Sequence, residues 1–275
     1  MDPTLAALLE ENDEGDVETK DYDDIINGED ESPQPLLGDT VVDLPGGIIT
    51  EQGVVTKVSV RELNGYDEEE LARSDVKQPI DYLTKLLKLG LKEIGGKKPS
   101  EQTLNQLLIG DRNAIIIGIR RATFGNEMEM PGLKCPECLK DFDVIIGLDE
   151  FEMKKLDDPV ADRSFEVKLQ KGKAKLRLAT HGDVVEMIAK SSKPVEQNNV
   201  MLLNCIVDLN STPLAMSSVD PEEVIRQLGM RDRQVMLDEL DKRQPGPDML
   251  GVKITCPNCD YEDRIGLDLI GMFRI

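Results

Sequence analysis

Aromatic side chains are scarce in this chain: no Trp, four Tyr and five Phe among 275 residues. Its core must therefore be aliphatic, and a helix-rich interior is expected. Histidine occurs once, at position 181, which excludes the multi-histidine metal sites of hydrolytic enzymes. Cations are outnumbered, 33 Lys and Arg against 54 Asp and Glu, for a formal charge of −21. Such a surface repels a phosphate backbone and argues against broad electrostatic binding to nucleic acid. No apolar run reaches the roughly 18–20 residues that span a bilayer. The opening "MDPTLAALLEENDEGD" has neither the basic nor the apolar region of a secretory signal. A cytosol-like compartment is expected, where paired cysteines hold metal more readily than they form lasting disulfides.

What the chain does have begins with acid. Residues 10–31 carry twelve carboxylates and one lysine, and such a stretch cannot bury enough apolar surface to offset the entropy of ordering it. Residues 1–50 are therefore expected to be an acidic segment that is disordered or orders only on a partner. From Gly53 the pattern becomes that of a folded α+β protein. "GVVTKVSVREL" alternates as a strand, and "NGYDEEELARS" gives a turn and a short acidic helix. In "PIDYLTKLLKLGLKEIGG", Ile80, Leu83, Leu86, Leu87 and Leu91 share one helical face, with Gly95-Gly96 as a stop. Ser100 suits a helix cap, and a very apolar helix is expected from Asn113 to Phe124 with Asp111 as its cap. "SFEVKLQKGKAKLRLATHGD" reads as two antiparallel strands and a helix start near Thr180 or Asp183. Two further helices are expected, one from Pro221, capped by Asp220, and one over "MRDRQVMLDELDKR".

Four of the five cysteines fall into two matching stretches, "CPECLKDFDVIIGLD" from residue 135 and "CPNCDYEDRIGLD" from residue 256. A Cys-x-x-Cys turn presents two thiolates from one tight loop, and proline after the first thiolate stiffens it. Two such turns supply the four soft ligands of a closed tetrahedral zinc site. Cys135, Cys138, Cys256 and Cys259 are the expected ligands of one structural Zn2+ per chain. Each pair is then half of a ribbon, and residues 139–255 form an insertion clamped at its base. The same pairs also admit a metal-free, vestigial site. A redox pair fits less well, because a thioredoxin-like Cys-x-x-Cys occurs once, at a helix start. Cys205 lies among apolar neighbours as a core thiol, and no catalytic residue is assigned to His181 or elsewhere. Arg112, Arg120 and Arg121 match no phosphate-binding loop and are expected to pair with carboxylates or a partner.

The order of these elements resembles the baseplate and tail-assembly proteins of long-tailed bacteriophages. The resemblance rests on "RELNGYDEE", "LNQLLIGDRNAII" and "RRATFG", followed by the split cysteine pairs, and covers roughly residues 54–275. It implies a non-catalytic, hub-type or wedge component or assembly factor in the virion tail baseplate, assembled in the host cytoplasm. Its partners would be other tail proteins and possibly copies of itself in a symmetric assembly, with no nucleic acid and no membrane. Three parts are expected: the acidic segment 1–50, an N-terminal α/β portion 51–134, and a zinc-ribbon domain 135–275. A second reading of the same ribbon is an accessory protein of a nucleic-acid or transcription complex. A basic or aromatic face around the knuckles would favour that second reading, whereas "LKDFDV" and "DYEDR" are rich in acid.

Overall fold

The computed structural model describes residues 40–73, 78–249, 251–266 and 268–273. Most of the expected acidic segment, residues 1–39, lies outside them. Its last part is corrected: Thr40–Thr50 is a strand, antiparallel to Gly53–Val60. Leu44 and Ile48 on it are buried in the core. Pro45-Gly46-Gly47 reads as a break, but the register shift between Asp43 and Ile48 absorbs it without ending the strand. A boundary at residue 50 therefore falls at the tip of a hairpin.

The protein is α+β, with helices and antiparallel strands around the cysteine cluster. One core joins the sheet formed by Thr40–Thr50, Gly53–Val60 and Leu91–Ile94 to the helices Pro79–Gly90 and Ile109–Phe124. The helix Pro79–Gly90 buries Ile80, Leu83, Leu86 and Leu87, as the 3.6-residue spacing requires. It ends one residue before Leu91, which turns extended and opens the third strand of the sheet. Every residue from Gly110 to Ile119 of the helix Ile109–Phe124 is buried, with Ile115, Ile116 and Ile119 fully so. Each such isoleucine contributes about 1.5–3 kcal/mol by leaving water, and burial from every side overrides the strand preference of an Ile-Ile-Ile run.

Residues from both ends of the chain fill this core, from Leu44 to Phe151 and again at Met272. It thus draws on both sides of residue 134. A second core lies within the stretch between the cysteine pairs. There the hairpin Ser164–Leu169 with Gly172–Arg177 packs with the helices Pro194–Cys205, Pro221–Gln227 and Met230–Arg243 around Leu176, Leu202, Ile225 and Met236.

The seam between the cores is close-packed backbone. A Cβ on Gly110 would stand 1.6 Å from the Pro245 carbonyl oxygen, so only glycine allows "GDR" to meet "QPGPD". Asp111, expected as a cap, instead lies inside a helix that starts at Ile109. Its Oδ1 accepts the Gly46 N–H at 2.7 Å, holding the strand break against the helix. Burial pushes this carboxyl up to about 6, although the Gly46 N–H and the nearby Arg163 favour its ionised form.

Two strand-to-helix joints share one device. After Gly53–Val60, the Arg61 guanidinium grips Asp67 with two bonds of 2.7 and 2.8 Å, and Asp67 also accepts the Asn64 N–H. After Gly172–Arg177, Arg177 grips Asp183 with the same two distances, and Asp183 accepts the Thr180 N–H. Burial opposes the charge on both carboxylates, yet the facing guanidinium holds each below the usual carboxylate range. Each pair fixes the angle at which a strand turns into the helix that follows.

Candidate metal centre

The two cysteine stretches fold as copies. In the first, the Cys135 N–H donates to the Lys140 carbonyl, and the Leu139 N–H to the Cys135 carbonyl, both at 3.0 Å. In the second, the Cys256 N–H donates to the Tyr261 carbonyl at 2.8 Å and the Asp260 N–H to the Cys256 carbonyl at 3.0 Å. The residue after each second cysteine is left-handed, Leu139 at φ 58° and Asp260 at φ 55°. This reversal folds the chain back so that both thiols of a pair point to one side.

Each knuckle closes an antiparallel hairpin. Glu127–Lys134 pairs with Asp141–Gly147 around the first, and Val252–Thr255 with Glu262–Ile265 around the second. The hairpins bring all four expected cysteines together, with their sulfurs within 4.8 Å of one another. Across the pairs, Cys135 Sγ stands 3.6 Å from Cys259 Sγ, and Cys138 Sγ 3.8 Å from Cys256 Sγ. Four thiolates about 2.3 Å from a tetrahedral ion stand about 3.8 Å apart. The cluster therefore has the dimensions and donor softness that a metal such as Zn2+ requires. Cys135 and Cys256 are buried and Cys259 faces solvent.

The two thiols of the second knuckle are shifted in opposite directions. Burial opposes ionisation of Cys256, but the Asn258 N–H and the three neighbouring thiols bring it down to about 7. The Tyr261 N–H favours the thiolate of Cys259, yet hydrogen bonds to the other sulfurs hold its proton and push it up to about 12. One thiolate forms readily here, and a bound cation would draw the protons from the others. Around the knuckles, Lys134, Lys140 and Arg264 are interspersed with Glu137, Asp141, Asp260, Glu262 and Asp263, all exposed.

The remaining candidates have other surroundings. Cys205 is fully buried with its S–H toward Met201 Sδ, and burial pushes its thiol up to about 12. His181 is also fully buried; its Nε2 lies 3.0 Å from Thr84 Oγ1, and burial lowers it to about 4. Arg121 is exposed and its charge favours the ionised form of Asp149, whereas Arg112 and Arg120 show no carboxylate pair among the described residues. Arg112 is buried, bonds Asn113 Oδ1 at 3.0 and 2.8 Å, and has no carboxylate partner among the described residues. Burial lowers it to about 10. Arg120 donates to the carbonyls of Met272 and Gly125 and lies 4.5 Å over the Phe124 ring.

Sequence reading did not foresee that the three quoted motifs are joints between distant segments. The Leu63 N–H of "RELNGYDEE" donates to Thr123 Oγ1 of "RRATFG" at 3.1 Å, while "GDR" receives Gly46 and abuts Pro245. A model of the family described as T4 bacteriophage base plate protein matches residues 47–273. No curated protein and no solved structure is matched.

Proposed function

Because the chain belongs to the family of T4 bacteriophage base plate proteins, we propose that it is a non-catalytic structural component or assembly factor of the tail baseplate, in its hub or wedge. It acts by contact with other tail proteins in the virion. Cys135, Cys138, Cys256 and Cys259 bind one structural Zn2+, which ties the first hairpin to the second and clamps residues 139–255 as an insertion. The observation that carries this reading is the meeting of four thiols, 118 positions apart across one contact, within a chain matched over residues 47–273. Fully thiolate-bound zinc has no open coordination position and supplies folding energy, not chemistry.

The reading has a direct test. Protein purified without chelator should contain close to one zinc per chain, and purified tails or tail-assembly intermediates should contain the protein. Zinc-free preparations whose four thiols are all rapidly alkylated would overturn the metal assignment. Absence of the chain from both tails and intermediates would overturn the baseplate role.

A further inference from the structure

Away from the cysteines lies an apolar groove of about 340 Å3, floored by Leu63, Leu71, Tyr82, Phe124 and Phe273. It forms where the motif joint between Leu63 and Thr123 meets the last turn of the described chain, Gly271–Phe273. Its wall is held in place. Phe273 packs edge-on against Phe124 with ring centres 6.3 Å apart, and Arg120 covers Phe124 while bonding the Met272 carbonyl at 2.8 Å. In a chain with nine aromatic residues, Phe124 is still 43% exposed here, and Tyr66, at the start of the adjoining helix, is 84% exposed.

Among the residues that line the groove, Glu68 alone carries a formal charge. On the helix Gly65–Arg73, Asp67 is paired with Arg61, Glu69 with Arg73 and Glu70 with Lys85. Glu68 is the carboxylate of that helix that lines the groove, and its side chain has no cation among the described residues. An apolar floor beside a carboxylate with no cation partner among the described residues, on a chain of net charge −21, favours a partner that is apolar and cationic and repels an acidic one.

We infer that the groove receives a cationic amphipathic segment of another baseplate protein. One or two branched apolar side chains enter the groove, and a Lys or Arg of the segment meets Glu68. The inference rests on the baseplate reading above and adds to it the chemistry of one partner.

Two fluorescein-labelled helical peptides test it against the full chain by fluorescence anisotropy. Both carry leucine at helical spacing; one has lysines and the other glutamates beside the leucine stripe. The lysine peptide should bind, and the glutamate peptide at least about tenfold more weakly. Glu68→Lys should weaken the lysine peptide about tenfold. Ala72→Glu, which sends a polar chain into the groove from an exposed position, should also weaken it despite the added negative charge. Both positions are exposed, and an unchanged melting temperature verifies that the variants are folded. No binding of the lysine peptide up to about 1 mM (only about −4 kcal/mol), equal binding by Glu68→Lys, or tighter binding by Ala72→Glu would each overturn the proposal. If both variants join tails as well as the parent chain does, the groove has no such partner and the baseplate role stands. If the parent chain is missing from tails and intermediates, the baseplate role fails, and the peptide titration still decides the groove.

Discussion

At the first knuckle the chain arrives on the eight residues Glu127–Lys134 and leaves on the seven residues Asp141–Gly147. At the second it arrives and leaves on four each, Val252–Thr255 and Glu262–Ile265. The first hairpin lays Met128, Met130, Val144 and Ile146 on the main core. The second adds only Val252 to that core, Ile254 being buried apart from it, while Glu262, Asp263 and Arg264 on the outgoing strand are all exposed. Two stretches with the same motif and the same backbone hydrogen bonds therefore differ in what supports them. A four-residue Cys-Pro-x-Cys motif sets local geometry, but packing decides whether that geometry exists before the fourth ligand arrives. A short two-stranded ribbon is marginal in water by itself, so the second half should depend on the metal far more than the first.

The severest way to break this comparison is the double change Cys256→Ser with Cys259→Ser. Linking segments more than a hundred residues apart restricts the unfolded chain by about 4–5 kcal/mol on the loop-closure estimate used for cross-links. Melting should accordingly fall by about 10–20 °C in a chain of this size. Amide exchange should accelerate across 252–265 while 127–147 stays protected. Equal loss of protection in both hairpins would show that packing does not hold the first one independently.

A smaller effect separates the hairpins without touching the cysteines. Ile146 is 1% exposed, and Ile146→Ala should cost about 2–4 kcal/mol by leaving a cavity in the core. Ile265 is the matching residue of the second "IGLD" and is only half-buried, so Ile265→Ala should cost about 1 kcal/mol or less. Denaturant titration of the zinc-loaded variants measures both, and similar values would remove the asymmetry.

The slightest change concerns the left-handed residues. Leucine pays roughly 1–2 kcal/mol for that conformation, whereas aspartate tolerates it better. Leu139→Gly should therefore be neutral or stabilising by up to about 1 kcal/mol, and Asp260→Gly should change less. The side chain of Leu139 is 67% exposed, so little packing is lost with it. Clear destabilisation by Leu139→Gly would mean that the exposed leucine has a contact of its own, with a partner or with the neighbouring knuckle.

The amino-acid sequence was enough to pair the cysteines as one cluster, because Cys-Pro-x-Cys followed by Ile-Gly-Leu-Asp is a local signal repeated at two places. It was enough, too, for the start and the buried face of the helix at Pro79 and for the hairpin around Gln170 and Lys171, whose hydrophobic periods are local; it ran that helix on to Gly95-Gly96, where Leu91–Ile94 is instead a strand. Other features needed the tertiary structure. The Arg61–Asp67 and Arg177–Asp183 joints repeat only a spacing, and their equivalence emerges when each follows a strand and opens a helix. Residues 40–50 read as the last part of the acidic segment until they pair with Gly53–Val60 and Asp111, 65 positions from Gly46, supplies an acceptor for the Gly46 N–H. Asp111 reads as a cap until burial and that same N–H give it a different role. Hydrophobic period and turn chemistry act over a few neighbouring residues, so sequence can carry them. A buried carboxylate, a close backbone crossing at Gly110 and an open groove beside Glu68 depend on which distant segments meet, and only the packed chain decides that.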